Sequence, residues 1–413
     1  MKINNATMYY ENKWQEVDLT IEDGILTAIG PTKNENCDWD AEGLYAFPGF
    51  IDIHVHLREP GFKQKESILS GTKAAAKGGF TIVCSMPNLS PTPDSLDHLN
   101  LQRKIIEEDA LIHVLPYGTI TKGELGQELS DMEDLAPYVF AFTDDGKGVS
   151  NKYLMKEAML LAKKLGKTIV SHAEDESLVQ GGVIHDGDFA RKHHLPGNPS
   201  ESEWKQVERE IALAKETGCP YHVCHVSSKE SIELVRQAQK DGLNVSCETT
   251  PHYLLLDDSK LKDEGRFKMN PPIRSIEDQE ALIEALLDGT ILCLATDHAP
   301  HTEEEKSKGL LHSANGIVGL ETAFPLIYTY FVRNGKMSLE KLIDLMTNNV
   351  RKRFNLPLVE VGQAFDMTFF DLEKEYWIDP NKFLSQGKAT PFQGWKVYGE
   401  CIKTFVSGKE VLW

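Results

Sequence analysis

Two hydrophobic patterns divide this chain. Over roughly the first 45 residues, in YYENKWQEVDLTIEDGILTAIG, apolar and polar positions alternate around Glu11-Asn12 and Asp23-Gly24. That pattern predicts short paired strands joined by tight turns. From Phe47 onward, eight apolar, β-rich runs appear: FIDIHVHL, GFTIVCSMP, LIHVLPYGTI, YVFAFTDDG, TIVSHAED, YHVCHVSS, NVSCETTPHYLLL and TILCLATDHAP. Helix-like stretches separate them, among them ILSGTKAAAKG, YLMKEAMLLAKKLG, EWKQVEREIALAKETG and KESIELVRQAQKDG. Each of these four ends in Gly, a helix-stop signal. Eight strands separated by helices predict a parallel sheet, and the count predicts a closed (β/α)8 barrel. An open doubly wound sheet is the competing fold. It usually has fewer strands and a Gly-rich phosphate turn, and no such turn is visible.

After the eighth run, helical text continues to about Phe354, and DMTFFDL and WKVYGECIKTFVSGKEVLW return to strand character. The expected organisation is an α/β barrel over 47–360, flanked by a small β-sandwich domain assembled from 1–46 and 361–413. No internal repeat or low-complexity segment interrupts it.

Composition narrows the partners. The 413 residues carry a formal charge of −19, with 41% hydrophobic and 26% charged residues. An acidic balance disfavours nucleic acid and anionic membranes, which select basic patches. A small anionic substrate stays open, because a few local arginines suffice to bind one. The seven cysteines show no C-x-x-C spacing and several lie in apolar runs, so buried free thiols in a reducing compartment are expected. The start, MKINNATMYYENKW, has no apolar signal-peptide core, and no apolar run approaches the ~20 residues of a membrane helix. A cytoplasmic protein is the expectation.

The strongest chemical signal is Asp52-Ile-His54-Val-His56-Leu-Arg58, at the end of the first long run. Strand side chains alternate faces, so His54 and His56 point the same way and form half of a zinc site. Other strand ends carry Thr143-Asp144-Asp145-Gly146, Ser171-His172-Ala-Glu174-Asp175, His222-Val-Cys-His225 and Thr296-Asp297-His298-Ala-Pro-His301. Barrel enzymes place reactive groups at that rim. One polynuclear metal site would satisfy these costly polar groups together. His222 and His225 face opposite ways, and His225, nearer the rim, is the better ligand. His222 reads as a packed histidine. An aspartate at 297 facing the metals would fit a general acid/base. Pattern alone does not separate Asp144 from Asp145. Glu174 and Asp175 either orient ligands or cap the next helix. His193 and His194 read as surface residues, and His252 as a neighbour of the site.

HVHLREPG, TDDG, SHAED, HVCHVS, KMNPPIR, ATDHAPH, GIVGLETAFPL and TPFQGWKVYG, spread over nearly the whole chain, resemble the dihydroorotase family of the amidohydrolase superfamily. The resemblance implies two Zn2+ ions sharing a bridging hydroxide. His54, His56 and Asp297 would hold one, and His172 and His225 the other. Asp145 would bridge them, with a carboxylated Lys147 as the alternative bridge. It implies substrate contacts from His56, Arg58, Asn88, Asn270, His301, Asn315 and Gly316. Arg58, Asn88 and His301 would take a carboxylate, and Asn270 the amide edge of a ring. Asp297 would move the proton. The implied reaction is cyclisation of N-carbamoyl-L-aspartate to dihydroorotate, a step of pyrimidine biosynthesis.

Relatives usually have Pro-Phe-Gly where this chain has Ala314-Asn315-Gly316, which changes the packing over the ring. The charged stretch from Thr302 to Ser313 is either a lid or a solvated loop. Allantoinase and hydantoinase/dihydropyrimidinase share the scaffold, but Arg58 beside the histidine pair disfavours the latter's uncharged rings. A metal-free, non-catalytic scaffold is a further alternative, disfavoured because all six ligand positions carry His or Asp. The resemblance also implies a homodimer or association with aspartate transcarbamoylase.

Overall fold

The computed structural model describes residues 1–32 and 36–413. At the start, β1 (Lys2–Tyr10), β2 (Lys13–Glu22) and β3 (Ile25–Pro31) form an antiparallel meander. The turn residues Glu11, Asn12, Asp23 and Gly24 all have positive φ, as two-residue hairpins require. β4 (Trp39–Asp40) and β5 (Tyr45–Pro48) pair with β1 in parallel.

The middle of the chain builds two parallel sheets. β6 (Phe50–Val55), β7 (Phe80–Ser85) and β8 (His113–Pro116) form one. β9 (Ile169–Ser171) belongs to the other, and β10 (Ile184–His185) and β11 (Gly197–Asn198) form a separate small pair. β12 (Tyr221–Val223), β13 (Val245–Thr249) and β14 (Cys293–Leu294) complete the second sheet in the order β14-β13-β12-β9. Isolated parallel bridges link the two sheets at both edges. Phe142 pairs with Gly118 and Ile169, and Val55 pairs with His298.

The fourth and eighth expected strands are thus much shorter than their apolar runs, for a local reason. Asp144 accepts Ile120 N at 2.7 Å and Thr121 N at 3.0 Å, and Asp52 accepts Thr296 N at 3.2 Å. Carboxylates take backbone donors that a longer ladder would use.

Finally β15 (Met367–Trp377), β16 (Lys396–Val406) and β17 (Lys409–Glu410) return to the first sheet, giving the order β17-β16-β15-β5-β1-β2-β3. Residues from both ends of the chain, including Ile3, Leu19, Ile21, Phe365, Phe369 and Phe405, share one apolar cluster.

The helices follow their sequence signals. Ser67 and Ser275 cap Ile68–Lys77 and Ile276–Asp288, and Asn151 caps Lys152–Lys164. Glu201–Thr217 stops at Gly218, whose φ of +69° is the left-handed state that favours glycine. Ile51, Ile53, Cys84, Tyr117, Cys224 and Cys293 belong to a cluster fed by both parallel sheets. All seven cysteines are free. Five are buried, Cys401 is half-buried and Cys37 is exposed. Among the described residues, no helix is long and apolar enough to cross a membrane.

Candidate metal centre and substrate pocket

Ile51 and Ile53 of β6 are buried in the cluster between the sheets, the pairing of β6 with β7 shifts register between Asp52 and Val55, and the His54 and His56 rings lie 5.5 Å apart at the strand's end. Around their outer nitrogens stand two carboxylates from distant segments. Asp145 Oδ1 lies 3.3 Å from His54 Nε2, and its Oδ2 lies 3.4 Å from His56 Nε2. Asp297 Oδ1 lies 3.6 Å and 3.2 Å from the same two nitrogens. A second imidazole pair faces them: His172 Nδ1 and His225 Nε2 are 2.9 Å apart, and each is 3.7 Å from Asp145 Oδ1. Asp145 is therefore the carboxylate common to both pairs. Asp144 turns away to Ile120 and Thr121, and Lys147 Nζ donates to the Glu124 carbonyl at 3.4 Å. Asp297 and His225 hold positive φ values of 47° and 29°, strained states for side-chain-bearing residues that cluster at functional sites.

The donor chemistry fits divalent cations. His54, His56 and Asp145 form one group of potential ligand atoms within 4.8 Å of one another, and Asp145, His172 and His225 form another. Imidazole with carboxylate is a zinc-type donor set. Buried His54 Nε2 and Asp145 Oδ1 have no hydrogen-bond partner, a cost that a bound cation removes. Burial disfavours the charged forms of Asp145 and Asp297, but the surrounding histidines outweigh it and hold both carboxyls well below the usual range.

Over this cluster opens a cavity of about 210 Å³, and all seven expected substrate contacts line it: His56, Arg58, Asn88, Asn270, His301, Asn315 and Gly316. Asp145, His172, His225 and Asp297 reach its surface, while His54 is fully buried. Arg58 Nε donates to the Pro300 carbonyl at 3.3 Å, and Nη2 sits 3.3 Å from His301 Nε2. Burial lowers Arg58 to about 10, still a cation at neutral pH. Burial, then Arg58 and Lys65, hold His301 down at about 3, so its imidazole is neutral. Asn88 donates to the Asp145 carbonyl, and its own Oδ1 is buried without a partner. Asn270 donates to Glu174 Oε2 at 2.9 Å, and the same oxygen lies 3.5 Å from His172 Nε2. Gly316 has φ +129°, and a Cβ there would meet the Ala299 carbonyl at 2.5 Å, so no side chain fits.

Glu174 bonds cavity residues, whereas Asp175 caps Glu176–Val179. His222 lies beneath the cluster on Ser246 and Glu248, His252 is buried against Tyr253, and His193 and His194 are exposed. Residues 302–313 form two short helical segments, Glu303–Lys306 and Gly309–His312. They are packed down: Leu310 is fully buried, and Lys306 Nζ donates to the Lys268 and Ala314 carbonyls at 2.9 and 2.7 Å. That is more anchoring than a solvated loop has.

Two residues carry structural weight that motif reading passes over. Glu248 accepts His54 Nδ1 at 2.7 Å; a lone carboxylate in the apolar run VSCETT is its sequence signal. Burial opposes its charge, but His222 and His54 hold it at about 2. Asp52 ties β6 to Thr296 by accepting Thr296 N and the Thr296 hydroxyl (2.5 Å), and within β6 it accepts His54 N (3.0 Å).

The chain is similar to known proteins over nearly its whole length. Residues 43–231 match the model of a dihydro-orotase-like family. The chain is 49% identical over 418 residues to a dihydroorotase of Fusobacterium nucleatum subsp. nucleatum, covering 99% of this chain and 97% of that one. It is 51% identical over 404 residues to a dihydroorotase of Geobacillus sp., covering 96% and 95%. Among solved structures, an L-hydantoinase (dihydropyrimidinase) from Arthrobacter aurescens superposes with a TM-score of 0.88 at 27% identity, covering 99% of this chain and 95% of that one.

Proposed function

The chain belongs to the dihydroorotase family, and from that membership we propose that it interconverts N-carbamoyl-L-aspartate and L-dihydroorotate, a cyclic amidohydrolase reaction of pyrimidine biosynthesis. The observation that carries the reading is a cationic fork, Arg58, at the mouth of a cavity floored by the Asp145-centred histidine cluster. A planar guanidinium suits a carboxylate, and both members of this substrate pair carry an α-carboxylate.

His54, His56 and Asp297 would hold one zinc ion, His172 and His225 a second, and Asp145 would bridge them. When bound, such ions polarise a carbonyl and lower the pKa of a water from 15.7 to about 7. The chain's own residues do the rest. Arg58, Asn88 and His301 bind the carboxylate, Asn270 reads the amide edge, and Asn315 and Gly316 close one wall. In ring opening, Asp297 takes a proton from the attacking water and returns it to the leaving ring nitrogen. In ring closure it accepts the proton of the carbamoyl nitrogen and delivers it to the departing carboxylate oxygen, which leaves as water with one further proton from solvent. The histidines beside Asp297 keep its carboxyl ionised, so an oxygen is open to accept the proton.

The same reading takes the two bridged parallel sheets as a (β/α)8 barrel over 47–360, and the terminal sheet as a small β-sandwich domain of 1–46 and 361–413. The parallel bridges at Phe142 and between Val55 and His298 support closure. A cytoplasmic location and either a homodimer or an assembly with aspartate transcarbamoylase complete the proposal. Sedimentation alone and with that partner distinguishes the two assemblies.

The structural likeness to hydantoinases gives a second reading, a cyclic amidohydrolase of uncharged rings. Zinc-loaded protein assayed with L-dihydroorotate, allantoin and dihydrouracil decides between them. Turnover of dihydroorotate far above the others is expected, and a preference for either of the others overturns the assignment. A metal-free scaffold would show neither bound zinc nor activity after zinc addition.

A further inference from the structure

Beneath the candidate metal centre lie two more groups of potential ligands, His54–Cys224–Glu248 and His222–Glu248–Cys293. Their hydrogen bonds argue against a third cation. Glu248 Oε1 faces His54 Nδ1 at 2.7 Å and accepts His225 N at 3.3 Å, while Oε2 faces His222 Nε2 at 3.2 Å. His222 Nδ1 in turn meets Ser246 Oγ at 2.8 Å, and that oxygen accepts Arg353 Nε at 3.1 Å. In the upper cluster, by contrast, His54 Nε2 and Asp145 Oδ1 are left without partners. Both Glu248 oxygens and both His222 ring nitrogens thus have partners within the chain, whereas the upper cluster keeps unpartnered donor atoms.

We propose that Glu248 is a positioning residue for both halves of the metal centre, fixing the tautomer of His54 and the backbone of His225. The proposal rests on the dinuclear reading above. A neutral imidazole carries one N–H, and a carboxylate 2.7 Å from Nδ1 keeps that proton on Nδ1. Nε2 then offers its lone pair on the side of Asp145 and Asp297, 3.3 and 3.6 Å away. The second bond acts on the main chain. His225 holds a φ of 29°, and its N–H is anchored on the same carboxylate oxygen while its ring meets His172. One carboxylate on β13 thereby sets a ligand from each imidazole pair, and His222 keeps that carboxylate turned. Such outer partners fix ring orientation and raise ligand basicity.

The test uses the full chain with zinc. Glu248→Leu should weaken zinc binding roughly 10- to 100-fold in competition with a chromogenic chelator. Glu248→Gln should recover most of that loss, because its amide oxygen still accepts from His54 and its NH2 can donate to the other tautomer of His222. A folded Glu248→Leu protein with wild-type zinc affinity overturns the proposal. An independent readout needs no variant: ring 15N shifts of His54 in the wild-type holoenzyme should report the proton on Nδ1, and a proton on Nε2 overturns the proposal. Wild-type protein that binds no zinc overturns the dinuclear reading, and the positioning role falls with it. Wild-type binding matched by an equally tight Glu248→Leu protein overturns the positioning role alone.

Discussion

Replacing Arg58 by methionine tests the substrate assignment most directly. The change keeps an unbranched, apolar stem and removes the charged fork. In the structure Nε donates to the Pro300 carbonyl, and His301 Nε2, 3.3 Å from Nη2, lies 2.7 Å from the Asn315 carbonyl, so Nη1 and Nη2 are left to meet a ligand. Two N–H groups on a carboxylate, one from each nitrogen, are each worth about 1.5–3 kcal/mol, the range for hydrogen bonds to charged groups. On the proposed binding mode Asn88 and His301 would still hold the carboxylate in the variant, which favours the lower end of the sum, about 3 kcal/mol. At 1.36 kcal/mol per decade, that is a fall of roughly 10²-fold in kcat/KM for L-dihydroorotate. The assay is initial-rate kinetics on zinc-saturated protein, alongside inhibition by dihydrouracil, the same ring without the carboxylate. The inhibition constant for dihydrouracil should stay where it is. Equal weakening toward both molecules, or an unchanged kcat/KM for dihydroorotate, would refute Arg58 as the carboxylate-binding group.

Three further outcomes follow from the same geometry. Asp297→Asn preserves shape but removes the proton acceptor. Turnover should fall about 10²–10⁴-fold with zinc still bound, and near-normal rates in metal-replete variant protein would reject the role. Asp52→Ala strips the acceptor from Thr296 N, the Thr296 hydroxyl and His54 N, all buried, and should cost about 3–5 kcal/mol in urea unfolding, more than Asp52→Asn. A loss below about 1 kcal/mol would mean water replaces it. Burial holds Lys306 down at about 7, so between that value and the unfolded ~10.4 the unfolded chain binds the extra proton. Stability from this residue therefore rises with pH across that window, by up to about 1.4 kcal/mol per pH unit. Lys306→Met should flatten the rise in thermal melts, and an unaltered profile would place the ammonium in water.

Much of this is legible from neighbouring residues alone. Glu11-Asn12 and Asp23-Gly24 tolerate left-handed backbone, so the hairpin turns are readable. The two-residue period puts His54 and His56 together on the strand alone. Asp144 and Asp145 show where such reading stops. They are adjacent, chemically identical and both buried, and the choice is made by N–H groups of Ile120 and Thr121 more than twenty residues upstream. The run YVFAFTDDG likewise reads as a full strand, yet regular pairing contracts to Phe142 once Asp144 takes backbone donors.

The primary structure by itself determined the local periods, the turns and helix ends, and the imidazole and carboxylate chemistry available at the strand ends. Only the tertiary structure decided which carboxylate stands between the two histidine pairs and that Glu248, 194 residues from His54, fixes that ring from below. The physical reason is range. Backbone propensities and side-chain periodicity act over a few residues, whereas a cation site depends on ångström separations between segments joined only when the sheets pack.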